Sequence, residues 1–220
     1  MDQKQIDRIN ELAKKAKEEK EELIKIITNN NIFVVTDEIY ESLIYEEYYS
    51  VAEEKEILDK VIYISGFSKM FSMTGLRVGY FAAQKQLMDE IMKVHQYNVS
   101  CATSICQWAA LEGLRNGLDD VENMRNVFRE RKDYVISELR NMGLEVNEPK
   151  GAFYVFPSIK KFNMSSEEFC LKLLNEEKIA CVPGSAFGTG GEGYIRISYC
   201  YSMEELKKAL LGLKKFINKI

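Results

Sequence analysis

Two β-prone apolar runs joined by a segment rich in small residues constrain this chain more than any other feature. Val61-Ile62-Tyr63-Ile64 and Val78-Gly79-Tyr80-Phe81-Ala82-Ala83 read as strands, and the stretch from Gly66 to Arg77 must turn the chain between them. Lys69 falls in a Ser/Gly-flanked turn just after the first run, and Arg77 follows eight residues later, at the start of the second. A lysine at a strand end, off the solvated helix surfaces, can be desolvated. Desolvation lowers an ammonium pKa and favours the neutral amine, the form that attacks a carbonyl. An arginine nearby offers a fixed fork of donors suited to a phosphate.

Two further groups of residues add to this. Ile32-Phe33-Val34-Val35-Thr36 is predicted to form a buried strand, with Asp37 at its carboxyl end. Tyr40 comes three residues later, so a helix starting here puts Asp37 and Tyr40 on one face. In open α/β sheets, ligands bind beyond the carboxyl ends of the strands. Taken alone, an Asp in this position is more often a helix N-cap. Near the C-terminus, alternation in Gly193-Tyr194-Ile195-Arg196-Ile197-Ser198-Tyr199 sets Ile195 and Ile197 on one face and Arg196 on the other. An arginine in such a strand needs an anionic partner if buried, and is otherwise an edge-strand arginine in water.

The segment Gly66 to Gly79 closely resembles the lysine signature of the class I/II aminotransferases, fold-type I enzymes related to aspartate aminotransferase. The constrained positions are filled by Gly66, Ser68, Lys69, Gly75, Arg77, Val78 and Gly79. Asp37-Glu38-Ile39-Tyr40 is similar to the family's Asp-Glu-x-Tyr element. The resemblance implies pyridoxal 5'-phosphate (PLP) as cofactor, no metal, and a Schiff base on Lys69, which also moves protons as base and acid. It assigns Asp37 to the ring nitrogen, Tyr40 to the ring 3-oxygen, Ser68 and Arg77 to the phosphate, and Arg196 to the substrate α-carboxylate. The implied activity moves an amino group between an amino acid and a 2-oxo acid. A β-eliminating lyase uses the same residue set, and a non-catalytic fragment or partner subunit would share the fold.

The implied fold is α/β: part of a three-layer PLP-transferase-like large domain over residues 1–116, then a small C-terminal α/β domain over 117–220. The resemblance starts near residue 30 and covers the second half of the family's pattern. No Asn-Pro dipeptide occurs, and no Gly-rich phosphate loop precedes Asp37. The chain therefore reads as a fragment, a truncated frame or one part of a split protein. By itself it is expected to bind PLP weakly and to transaminate negligibly, with a homodimer expected once the missing half is supplied.

Composition narrows the alternatives. A net charge of −4 gives no whole-chain attraction to nucleic acid or to an anionic membrane. Five cysteines without Cys-x-x-Cys spacing and a single histidine, His95, argue against zinc. No stretch resembles a signal peptide or reaches membrane-spanning length, so the cytoplasm is the expected compartment.

Periodicity predicts helices over the first thirty residues, with Ile6, Ile9, Ala13, Ala16, Leu23, Ile24 and Ile27 on one face. It predicts others over 85–116 with a break near 98–104, over about 119–142, and at the C-terminus. Ile105, Trp108, Ala109 and Leu114 are expected in the core, and His95 is read as structural. Ser165 with Glu168, and Ser202 with Glu205, read as capping boxes.

Overall fold

The computed structural model describes residues 18–220, so the expectation for Ile6, Ile9, Ala13 and Ala16 lies outside the described residues. The chain divides into two compact units. One runs up to Tyr40 and resumes over Tyr48–Arg115; the other combines Glu41–Glu47 with Asn116–Ile220.

The first unit opens with helix α1, described over residues 18–30. Strands β1 (Val34–Asp37), β2 (Val61–Gly66) and β3 (Gly79–Ala83) form a sheet in the order β1-β2-β3. β1 runs parallel to β2, and β3 is antiparallel to it. Ile24 and Ile27 of α1 pack onto Val34, Ile57 and Val61, with Ile27, Ile57 and Val61 fully buried. Each such isoleucine contributes about 1.5–3 kcal/mol relative to an exposed one. The helix is fastened outside the core as well, where Lys20 pairs with Glu54 and lies 4.3 Å from the Tyr49 ring centroid.

β1 is not the buried strand its apolar run suggests. Phe33 is 62% and Val35 60% exposed, because the described residues cover only the sheet face that carries Val34. The lysine segment is a single helical turn, α2 (Phe67–Met70), rather than an irregular turn.

Helices α3 (Lys85–Asn98) and α4 (Ser104–Asn116) follow with the expected break between them. The expected core face of α4 is overturned. Ile105 is 74% and Trp108 70% exposed, Leu114 is also exposed, and Ala109 is half-buried. Cys106 and Ala110 are buried instead, against Phe67 and Val78 with Phe71 alongside. The Phe67 and Phe71 rings stack with centroids 6.0 Å apart, and helix α4 can approach them closely only through small side chains.

In the second unit, α5 (Leu118–Asn141) buries Val121, Phe128, Val135, Ile136 and Leu139, and also Lys132. Lys132 pairs with Glu148 at 3.1 Å and Asp133 at 3.2 Å, which offsets the cost of its burial. Strands β4 (Tyr154–Val155), β5 (Val182–Pro183) and β6 (Ile195–Ser198) make an antiparallel sheet in the order β4-β6-β5. Helices α6 (Ser166–Glu177) and α7 (Met203–Ile217) pack together through an edge-to-face contact of Phe169 and Phe216, centroids 5.1 Å apart. At the start of α7 both halves of the Ser202/Glu205 capping box form; Ser165 accepts from the Glu168 N–H at 3.1 Å.

The β2–β3 crossing depends on two glycines paired across it, Gly66 and Gly79. A Cβ on Gly66 would lie 3.0 Å from Gly79 Cα and 3.2 Å from Ile39 Cδ1, and one on Gly79 would lie 3.1 Å from the Ser65 carbonyl oxygen. The atoms in the way are mostly backbone, so relief requires the strands to separate. Gly66→Ala and Gly79→Ala are each expected to destabilise the protein by about 1–3 kcal/mol, whereas Gly75→Ala, with open space around it, should change stability little. Urea denaturation of the three variants checks this. Trp108 is the sole tryptophan, so its fluorescence reports on the face of α4 alone. The isolated chain is expected to show a solvent-like emission maximum and free access to acrylamide; a blue-shifted, protected spectrum would mean that this face is covered in solution.

Candidate active site

Parallel pairing of β1 with β2 sends both strands toward the same edge of the sheet. Asp37, the last residue of β1, is in register with Ile64, and β2 continues only to Gly66 before α2 begins. β3 starts at that edge, because Gly79 pairs with Gly66 and Arg77 lies two residues before it. Neighbouring strands are about 4.8 Å apart, so three strand ends crowd one short edge. Asp37, Ser68, Lys69 and Arg77 all leave the sheet there. This is the arrangement by which open α/β sheets form ligand sites.

Local geometry fixes each side chain. Asp37 is exposed and its Oδ1 accepts the Ile39 N–H at 3.2 Å, a turn-forming bond rather than a helix cap. No α-helix follows; Ile39 and Tyr40 form a turn before a 3-10 helix at Glu41–Leu43. The turn nevertheless brings Tyr40 to the lysine, whose Nζ lies 5.8 Å from the Tyr40 ring centroid. Lys69 and Ser68 are half-buried on α2. Arg77 is exposed and left-handed (φ +52°), with its guanidinium donating to the Thr74 carbonyl at 2.9 Å.

Arg196 belongs to the second unit. It sits in β6 with its guanidinium 4.5 Å from the Tyr154 ring centroid and 4.8 Å from that of Phe187. The expected anionic partner does not come from the described carboxylates; two aromatic faces hold the planar group instead. Tyr154 and Phe187 are the residues sequence reasoning missed, one in β4 and the other just after β5. Also unforeseen is a polar knot in this unit. Tyr45 and Tyr199 both donate to the Ala152 carbonyl, and their hydroxyls are 3.2 Å apart. Burial pushes both phenol pKa values up, Tyr199 the further. Ala152 is itself left-handed at φ +58°.

The groups at the sheet edge suit a phosphorylated pyridine aldehyde. An amine answers to an aldehyde carbon, a carboxylate to a ring N–H, a phenol to a ring oxygen, and a hydroxyl together with a guanidinium to a phosphate. The glycine crossing at Gly66–Gly79 lets β3 pack closely on β2 where α2 begins, which brings Arg77 to the strand end that carries Lys69.

Comparison with known proteins gives the family. The sequence model of the family "Aminotransferase class I and II" matches residues 15–213. YugH of Bacillus subtilis (strain 168) is 47% identical over 205 residues, 93% of this chain and 53% of that protein. The aspartate aminotransferase of Pyrococcus abyssi is 40% identical, over 91% of this chain and 53% of its own length. Among solved structures, the aromatic aminotransferase from Pyrococcus horikoshii OT3 superposes with a TM-score of 0.87 at 37% identity, covering 92% of this chain and 55% of that one. The chain thus spans about half the length of the curated relatives it matches. Its α/β fold is that of the aspartate aminotransferase-like enzymes, and the chain belongs to the class I and II aminotransferase family.

Proposed function

We propose that this chain carries the lysine-bearing part of a PLP-dependent aminotransferase that exchanges an amino group between an amino acid and a 2-oxo acid. The observation that carries the reading is the approach of Lys69 to Tyr40 at the edge where Asp37, Ser68 and Arg77 also emerge. Residues 1–115, apart from Glu41–Glu47, then belong to the cofactor domain and Glu41–Glu47 with Asn116–Ile220 to the small domain, in a soluble cytoplasmic homodimer when the rest of the family's length is supplied.

PLP, when bound, draws electrons from the substrate Cα into its ring. The chain's own residues do the rest. Lys69 would hold the cofactor through its amine and, once freed by the substrate amine, would serve as the base and then the acid that carries a proton from the substrate Cα to the carbon that bore the aldehyde. Asp37 keeps the ring nitrogen protonated, because a carboxylate beside it favours the cation. The Tyr40 hydroxyl donates to the ring oxygen. Arg77 and Ser68 hold the phosphate through charge-assisted and neutral hydrogen bonds. Arg196 grips the α-carboxylate with two parallel N–H bonds, its plane already set by Tyr154 and Phe187.

Reduction with borohydride after PLP addition tests the lysine. Peptide mapping is expected to find the label enriched on Lys69; label spread evenly over surface lysines would overturn the assignment. The two arginines should fail differently in a full-length enzyme bearing this sequence. Arg77→Ala removes a charge-assisted phosphate contact of about 1.5–3 kcal/mol and should weaken PLP retention. Arg196→Lys should retain PLP but raise KM for the amino acid, since an ammonium cannot copy the bidentate fork. Equilibrium dialysis of PLP and steady-state kinetics separate the two, and the opposite pattern would reverse the roles.

A further inference from the structure

Glu38 is buried between two proposed site residues, with 5% of its surface exposed. A carboxylate in such a place is costly unless something holds it. Its Oε1 accepts two hydroxyl hydrogen bonds, from Thr36 Oγ1 at 2.9 Å and Ser50 Oγ at 2.8 Å. Among the described residues its Oε2 has no hydrogen-bond partner. The carboxylate is therefore gripped through one oxygen. The grip extends further, since Ser50 Oγ accepts the Ala52 N–H at 3.1 Å and so caps the 3-10 helix Val51–Glu53. The Glu38 N–H donates to the Ile64 carbonyl at 2.8 Å, continuing the β1–β2 ladder one residue past Asp37.

Alternation makes this relevant to the site. Side chains along β1 point alternately to opposite faces, and exposure follows that pattern through Thr36, Asp37 and Glu38. Pinning Thr36 and Glu38 on the covered face leaves Asp37 on the other. The same pin fixes the start of the Ile39–Tyr40 turn, whose Ile39 N–H is the donor to Asp37 Oδ1.

We propose that Glu38 is a positioning residue: through Thr36 and Ser50 it locks the turn that aims Asp37 and Tyr40 at the cofactor edge. The functional part of this proposal rests on the roles given above to Asp37 and Tyr40; the structural part does not.

Amide hydrogen exchange on the cofactor-free chain tests the structural part. Glu38→Ala should speed exchange at Ile39 about tenfold, the loss expected for a hydrogen-bonded pin, while the Val61–Ile64 amides of β2 keep their protection. Glu38→Gln retains an acceptor oxygen for both hydroxyls and should restore exchange at Ile39 to near wild type. Unchanged exchange at Ile39 in Glu38→Ala overturns the proposal, as does failure of Glu38→Gln to rescue it. Should Glu38→Ala fail to fold, the Thr36→Val/Ser50→Ala pair removes the same two donors, and the same exchange result decides. For the functional part, borohydride labelling of Lys69 is compared in Glu38→Ala, Asp37→Asn and the double variant. Glu38→Ala should reduce labelling several-fold with Asp37 present and add little once Asp37→Asn is made. Additive losses would show that Glu38 does not act through Asp37. Absence of Lys69 enrichment in the wild type would refute the proposed function while leaving the exchange result to judge the turn.

Discussion

The parallel pairing of β1 with β2 is the constraint on which the rest of the first unit depends. A parallel pair needs a connection that carries the chain back to its starting edge, and here residues 38–60 provide it. Had the two strands been antiparallel, Asp37 and Lys69 would leave the sheet at opposite ends. Parallel order puts their backbones at one edge without help from any particular side chain. Glycine then permits the third strand to begin at the same edge, and helix α2 starts immediately beyond it.

Side chains act on that frame by different means in the two units. At the sheet edge, hydrogen bonds to backbone groups set the orientation: the Asp37 carboxylate on Ile39, the Arg77 guanidinium on Thr74. In the second unit the guanidinium of Arg196 is held by aromatic faces, which restrict its tilt without using its N–H donors. A carboxylate partner would have fixed it as well but would have occupied the donors. The knot of Tyr45, Tyr199 and Ala152 joins residues far apart in sequence through a single carbonyl, at the cost of a left-handed alanine.

The proposed site residues stand out in the sequence because the chemistry proposed for them is tied to local spacing. Lys69 and Arg77 bracket a turn between two recognisable strands, and Asp37 ends a third. Packing was less legible. Val35 looks buried by composition, yet its exposure depends on whether anything packs on its face of the sheet, which is a matter of tertiary structure and not of the run itself. The buried face of α4 misled for a related reason. Hydrophobicity favours Ile105 and Trp108 for the core, but close approach to Phe67 and Phe71 selects the smaller Cys106 and Ala110. Glu38 falls in the Asp-Glu-x-Tyr element but gave no sign of burial, since a charged residue beside another at a strand end reads as solvated until its tertiary partners, above all Ser50, are known.

The segment Glu41–Glu47 belongs to the second unit although the 68 residues Tyr48–Arg115 of the first separate it from Asn116. Leu43 is fully buried there, and backbone bonds tie Tyr45 N–H to the Lys150 carbonyl and Ala152 N–H to the Leu43 carbonyl. The second unit is therefore discontinuous in the chain. As a ribosome releases the polypeptide, this piece emerges about a hundred residues before its partners and must wait until residues 150–152 have been made. A loop of that length costs entropy to close, which places the completion of the second unit late in folding. The same discontinuity means that cutting the gene at residue 116 would not yield a whole domain on either side: one product would carry a stray apolar strap, and the other a core with its plug removed.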